Sequence, residues 1–214
     1  MARKPPTNPR KNASQARSRA TVDALVEATA RILAREGFEK ASTNRIAEIA
    51  GVSVGSLYQY FPSKEALVAA VIDRHNEEIM TIVRAAFVEV ADMPIETAVR
   101  KLVTVAIEAH RINPNLHRVL AEQIPRSGRL AEVEAFNHEV HALVRAYLES
   151  RRKEMRKIDP ALAAFICVSA IEAVAHNTVL NQAEMLSEKT VRTLVDETTR
   201  MVVGYLRQST NDLI

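Results

Sequence analysis

The apolar positions of this chain recur every three to four residues almost throughout, with no sustained alternation of two, and this pattern predicts helices and no sheet. Val22, Leu25, Val26, Thr29, Ile32 and Leu33 form one stripe, which Gly37 closes before Phe38 folds back on it. Residues 42 to 65 read STNRIAEIAGVSVGSLYQYFPSKE. Here Ser42 or Thr43 can cap a helix with Ile46, Ile49 and Ala50 inward, and Gly51 supplies the left-handed residue that ends it. Ser53 caps a second short helix in which Val54, Leu57, Tyr58 and Phe61 fall at i, i+3, i+4 and i+7, leaving Gly55, Ser56, Gln59 and Tyr60 on its other sides. That outer face is small, polar and uncharged, the chemistry that lets a helix approach base edges in a major groove. Pro62 and Ser63 restart the chain as a further helix, with Lys64 in the first turn beside amides that favour a phosphate. Three helices thus share one small core in the order of a helix-turn-helix DNA reader.

Further along, Pro94 opens a helix to about Ile112 with Ile95, Val99, Leu102, Val103 and Ala106 inward, and Asn113-Pro114 starts a short one that stops near Pro125. After a break at Ser127-Gly128, a long helix from about Arg129 to Met155 carries Leu130, Val133, Phe136, Asn137, Val140, Val144 and Tyr147 on one side. Asp159-Pro160 starts another and Ser187 the last, whose inward stripe is Val191, Leu194, Val195, Thr198, Met201, Val202 and Tyr205. The helix from Pro160 to about Asn181 has two stripes. Phe165, Val168, Ser169, Glu172, Ala175, His176 and Val179 make one, and Ile166, Ala170, Ala173, Asn177 and Leu180 the other. A helix apolar on most sides is buried on most sides, which predicts a partner chain on one face and its own domain on the other.

Residues 21 to about 72 resemble the N-terminal domain of the TetR family of bacterial transcriptional regulators. The resemblance rests on Gly37-Phe38, Thr43, Ile46-Ala47, Ala50-Gly51-Val52-Ser53, Gly55, Leu57-Tyr58, Tyr60-Phe61 and Lys64. It implies that Thr43 and Lys64 hold phosphates and that Arg45, Ser56, Tyr58, Gln59 and Tyr60 face DNA, with Asn44, Ser53, Val54 and Gly55 in the same surface. Val54 departs from the pattern, standing where many members carry Lys or another polar residue; a thymine methyl is the contact open to it.

Composition fits such a chain. Its 214 residues and 47% hydrophobic content suit a small domain plus a larger one. The net charge is only +3, but the first 20 residues carry Arg3, Lys4, Arg10, Lys11, Arg17 and Arg19 without an acid, so the basic surface is N-terminal. Pro5, Pro6 and Pro9 favour disorder in this arm, which can still touch phosphates or a minor groove. No 18 or so consecutive apolar residues suggest a membrane span, and the basic start lacks the apolar run of a signal peptide, so a cytoplasmic protein is expected. Cys167 is the only cysteine, which rules out an intrachain disulfide and a cysteine metal cluster; within FICVSAI it reads as an inert buried thiol.

Enzyme readings fare less well. Gly51-Val52-Ser53-Val54-Gly55 matches the GxSxG nucleophile elbow, but that motif needs a strand before the serine and NRIAEIA has a helical period. No GxxxxGK[ST] stretch exists to cradle a phosphate. Glu134, His138 and His141 share one helical face, which permits metal binding, but solvated or core-edge side chains are the plainer reading.

The sequence therefore predicts an all-α protein: a basic arm over residues 1–20, a reader over 21–65, and a helical regulatory and dimerisation domain over 66–214. It is expected to be a repressor, not an enzyme, without cofactor or metal, released from a palindromic operator by a small hydrophobic or amphipathic ligand. The alternatives are a ligand-independent or activating regulator of the same fold, and a helical ligand-binding or scaffold protein. Leu102, His110, His117, Leu120, Gln123, Phe136, Asn137, Val140, Phe165, His176 and Asn177 are the candidate ligand residues, being polar groups interleaved with an apolar wall. A homodimer is expected through helices spanning about 160 to 182 and 188 to 207, at Val168, Glu172, Ala175, Val179, Leu194, Thr198, Met201 and Tyr205.

Overall fold

The computed structural model describes residues 16–124, 130–181 and 187–207, without the side chains of 130–134 and 179–181. These residues form nine α-helices and one turn of 3-10 helix, with no strand among them. They divide into two compact units, residues 1–77 with 115–133, and residues 78–114 with 134–214.

The first unit is built on α1 (Ala16–Glu36), which buries Leu25, Val26, Thr29, Ile32 and Leu33 along the expected stripe. Thr29 avoids an unpaired buried hydroxyl by donating to the Leu25 carbonyl at 2.7 Å. Of the expected arm, residues 1–15 lie outside the described residues, while 16–20 are the first turn of α1. Helix α2 (Thr43–Ala50) is capped by Ser42, whose hydroxyl accepts from the Arg45 amide, and ends at Gly51 with φ 70°. Helix α3 (Val54–Tyr60) is capped by Ser53, which accepts from the Ser56 amide at 3.0 Å. Ser63 in turn accepts from the Ala66 amide at the start of α4 (Lys64–Val90). The inward set on α2 is Ile46 and Ala47; Ile49 is exposed instead, because eight residues give a helix only one narrow buried edge.

The unit does not end at residue 65. The stripe of α4 stays in the reader's core through Ala66, Leu67, Val68, Val71 and Ile72, and α6 (Pro114–Glu122) returns to it with Leu116, Val119 and Leu120, followed by Ile124. Gln123 closes the C-terminus of α1 from 85 residues away: its Oε1 accepts from the Phe38 amide at 2.9 Å, beside Gly37 at φ 82°.

In the second unit α5 (Ile95–Arg111) packs on both α8 (Pro160–Asn181) and α9 (Glu188–Leu206), and α7 (Leu130–Ser150) joins the same core through Tyr147 and Leu148. Pro94 offers α5 no side-chain cap, and Glu154 supplies it, accepting from the Ile95 amide at 3.0 Å. Glu154 stands in the 3-10 turn Arg152–Glu154, since α7 ends at Ser150 and does not run to Met155. Arg156 closes α9: its amide donates to the Leu206 carbonyl at 2.9 Å and its Nε to that of Tyr205 at 2.7 Å. Glu96–Arg207, Arg100–Asp196 and Arg111–Glu188 step antiparallel along α5 and α9. With at least one partner of each well exposed, these ion pairs contribute about 0–1 kcal/mol each, so they align helices that the core holds together.

Helix α8 contains the one described stretch, Pro160–Thr178, long and apolar enough to cross a membrane, with mean hydropathy 1.4. Part of that apolarity is used internally, where Ala163, Ala164, Cys167, Val168 and Ala175 are buried. Leu162, Phe165 and Ile166 are exposed on the other side.

The two positive-φ glycines give a paired stability test. A Cβ at Gly37 would lie 2.7 Å from Gln123 Oε1, whereas one at Gly51 meets nothing within 4 Å. Gly51→Ala should therefore cost only the left-handed strain, about 1 kcal/mol, and Gly37→Ala about 1 kcal/mol more for the displaced Gln123 hydrogen bond. Denaturant titration of the two variants measures the difference.

Candidate nucleic-acid interface and ligand cavity

Helix α3 presents Gly55, Tyr58 and Gln59 to solvent while Leu57, Tyr60 and Phe61 are buried. Which tyrosine points out is settled by the packing partner. Tyr58 is 40% exposed and its hydroxyl shares a hydrogen bond of 3.2 Å with Thr43 Oγ1, which ties α3 to the start of α2. Tyr60 is 8% exposed and donates to Ser18 Oγ of α1 at 3.2 Å. Tyr60 is therefore a core residue, and its expected place on the outer face is corrected. Both tyrosines border the apolar stripe, and α1 covers only the Tyr60 side. Val54 is half-buried, packing partly against the core and leaving part of its side chain at the surface beside Gly55.

The remaining polar candidates cluster around this helix. Asn44 and Ser53 are exposed, Ser56 is half-buried, and Arg45 is exposed but held by Glu36 at 2.8 Å. Lys64 sits over the Phe38 ring at 3.8 Å and donates to the Phe38 carbonyl at 3.3 Å, which fixes its ammonium beside the first turn of α4. A Cβ added at Gly55 would meet only Ser53 Oγ at 3.9 Å, so nothing within the fold requires glycine there. The GxSxG segment is preceded by α2 and not by a strand, and the Ser53 hydroxyl is engaged as a helix cap.

The second unit holds a half-open cavity of about 90 Å3. Its wall is apolar and drawn from four helices: Ile79, Val83 and Phe87 of α4, Leu102, Val105, Ala106 and Ala109 of α5, Phe136, Val140 and Val144 of α7, and Val168 and Ile171 of α8, with His110 and Glu172. His110 Nδ1 donates to the Ala106 carbonyl at 2.7 Å. A neighbouring space of about 50 Å3 shares Leu102, Val144, Val168 and Ile171 and is bordered by Cys167.

Two family models match the chain. "Bacterial regulatory proteins, tetR family" covers residues 25–71, and "Tetracyclin repressor-like, C-terminal domain" covers residues 94–206. The chain belongs to the TetR family. Among curated proteins it is 33% identical over 85 residues to the nucleoid occlusion factor SlmA of Haemophilus ducreyi (40% of this chain, 41% of that protein). It is 32% identical over 139 residues to an uncharacterized HTH-type transcriptional regulator of Mycobacterium tuberculosis (64% and 66%), and 40% identical over 55 residues to the HTH-type transcriptional repressor KstR of Mycolicibacterium smegmatis (26% and 27%). The chain spans about two fifths of the length of the SlmA proteins it matches. Solved structures similar in fold include the fatty acid degradation regulator FadR of Bacillus halodurans (TM-score 0.70, 19% identity, 88% of this chain and 97% of that one). SmeT, the repressor of the Stenotrophomonas maltophilia multidrug efflux pump SmeDEF, is another (TM-score 0.65, 18% identity, 89% and 94%).

In this TetR-family chain four of the expected ligand residues line the cavity: Leu102, His110, Phe136 and Val140. The others do not. Leu120 is in the core of the first unit, Gln123 caps α1, and His117 belongs to the first unit, its ring 5.9 Å from that of His75. Asn137 is absent from the cavity wall, and its carbonyl accepts from His141 Nδ1 at 2.6 Å. Phe165 is exposed and stacks on His141; Asn177 is exposed, its amide on the Ala173 carbonyl; His176 meets His110 edge-on outside the wall. His141 places Nδ1 on the Asn137 carbonyl and its ring on Phe165 while its Nε2 is buried without a hydrogen-bond partner among the described residues, and the Glu134 side chain of the weighed metal trio lies outside them.

The expected interface residues also divide. Val168 and Glu172 line the cavity, while Ala175 and Thr198 are buried in the unit's own core and Leu194 and Tyr205 pack against its edge. Of the named positions Met201 is exposed, and the Val179 side chain lies outside the described residues. Phe165 and Val168, read as one stripe, are thus separated: Val168, expected at the interface, is buried because α5 and α9 cover its side, and Phe165, expected at the ligand, is exposed. Missed altogether were Ile79, Val83 and Phe87, although their i, i+4, i+8 spacing is a legible stripe.

Burial at the second space pushes the Cys167 thiol up to about 11. At pH 8 almost no thiolate is present, so iodoacetamide should modify Cys167 only after denaturation. Mass spectrometry of the native chain showing rapid labelling would contradict this.

Proposed function

We propose that this chain is a transcriptional repressor that binds a palindromic operator as a homodimer in the cytoplasm and leaves it when a small, largely apolar molecule occupies the cavity of the second unit. The observation that carries the DNA part is the outer face of α3: a capped helix with Gly55, Tyr58 and Gln59 exposed and uncharged, beside Thr43, Asn44 and Lys64. Backbone at Gly55 can approach base edges, Gln59 can hydrogen-bond them, and Thr43, Tyr58 and Lys64 suit phosphates. Two such helices about a two-fold axis read half-sites roughly 34 Å apart.

Dimerisation is supported by Leu162, Phe165 and Ile166 of α8 and Met201 of α9, large apolar side chains left exposed on the second unit. For an effector to release DNA it must bind the DNA-incompetent form more tightly, and a tenfold release needs about 1.4 kcal/mol of such coupling. Helix α4 carries residues of the reader's core and of the cavity wall on one continuous backbone, which is a covalent route for that coupling. The alternatives, an activator or a ligand-independent regulator, share the reader and differ in the outcome of effector titration.

Gly55→Ala separates a DNA surface from a merely exposed helix. It should raise thermal stability, since alanine is favoured in a helix by about 1 kcal/mol, yet weaken operator binding by about 1–3 kcal/mol. Mobility-shift titration on a duplex selected from random sequence reads the second effect, and unchanged affinity would remove α3 from the interface. For the dimer, Phe165→Glu and Met201→Arg should each give folded monomer by sedimentation equilibrium at micromolar concentration, where the parent chain sediments as a dimer. A monomeric parent would overturn this arrangement.

A further inference from the structure

We propose that the cavity of the second unit takes a lipophilic cation, its apolar body among the aliphatic side chains and its ammonium group against the Glu172 carboxylate. The inference rests on reading that cavity as an effector site and adds the chemical class of the effector.

Among the described residues Glu172 is the only charged one on the wall. It stands on the inward stripe of α8, one turn from Val168 and just short of Ala175, both buried, and is itself half-buried. Its carboxylate keeps access to water where it borders the apolar wall. Among the described residues Glu172 has neither an ion pair nor a hydrogen bond, although acids elsewhere in the same unit, such as Glu139 with Arg84 and Glu188 with Arg111, are paired. An unpaired, accessible carboxylate beside an apolar wall can accept a cation that arrives with the ligand. The aromatic side chains agree in sign. Phe87 and Phe136, two of the five phenylalanines of the chain, border the same space, and the negative face of a benzene ring attracts ammonium groups, quaternary ones included. Among the described residues no Lys or Arg lines the cavity, so a carboxylate or phosphate head would meet Glu172 without a basic side chain beside it. The adjoining space behind Leu102 and Ile171 gives the apolar body room to extend once those side chains turn.

The test uses the full chain and three probes of similar size: benzyltrimethylammonium, its uncharged isostere neopentylbenzene, and the anion phenylacetate. Calorimetric titration, supported by shifts in melting temperature, should rank them cation, neutral, anion, with the cation about tenfold tighter than its isostere. E172Q should remove most of that preference and E172D should retain part of it, with circular dichroism verifying that each variant is folded. If the isostere binds as tightly as the cation, or if E172Q keeps the preference, the cation assignment is wrong while the effector cavity stands. If none of the three probes binds or shifts the melting temperature, the effector reading of the cavity falls together with the assignment.

Discussion

Helix α3 is only seven residues long, and a helix of that length does not persist alone in water, so everything it presents depends on what holds it in place. Its N-terminus is secured by Ser53, and its inner edge is sealed by Leu57, Tyr60 and Phe61, all buried against α1, α2 and the start of α4. Truncating one buried side chain of this kind typically costs about 2–5 kcal/mol, which is large against the stability of a small unit. The outer side chains contribute little to that stability. They are thereby left available for recognition, and Gly55, a residue that weakens the helix without any steric reason to be there, is the plainest sign that the outer face answers to something other than folding.

The second unit solves a different problem. Helix α8 is apolar on nearly every side, yet α5 and α9 cover only part of it, leaving Leu162, Phe165 and Ile166 exposed. Its inward stripe carries a carboxylate, Glu172, between the buried Val168 and Ala175. Ordinary core packing explains Ala163, Ala164, Cys167 and Ala175 but not Glu172. Exposed apolar side chains and an unpaired charge on a cavity wall are the two features on which the proposed dimer and the proposed effector rest.

Much of this fold is local and was therefore legible in the sequence. Ser42, Ser53, Ser63 and Ser187 cap where the residue types say they should, Gly37 and Gly51 take positive φ, and the stripe of α1 is buried as spaced. The reader pattern in residues 42–65 carried the family. What could not be read is which border of a stripe faces inward, because a partner distant in sequence decides it. Ser18 draws Tyr60 in and leaves Tyr58 out; α5 and α9 take the Val168 side of α8 and leave Phe165; Gln123 is claimed by Phe38 before any ligand could reach it. The same limit hid the boundary between the units, since α4 runs without a break through both sets of core residues and α6 returns to the first.

The most direct test of the central claim, that the outer face of α3 with the start of α2 reads DNA, is hydrogen–deuterium exchange of the full chain with and without a duplex selected from random sequence. The account predicts new protection in residues 43–60 and little change in the exchange of α9. Protection that appears elsewhere while residues 43–60 exchange as before would contradict it.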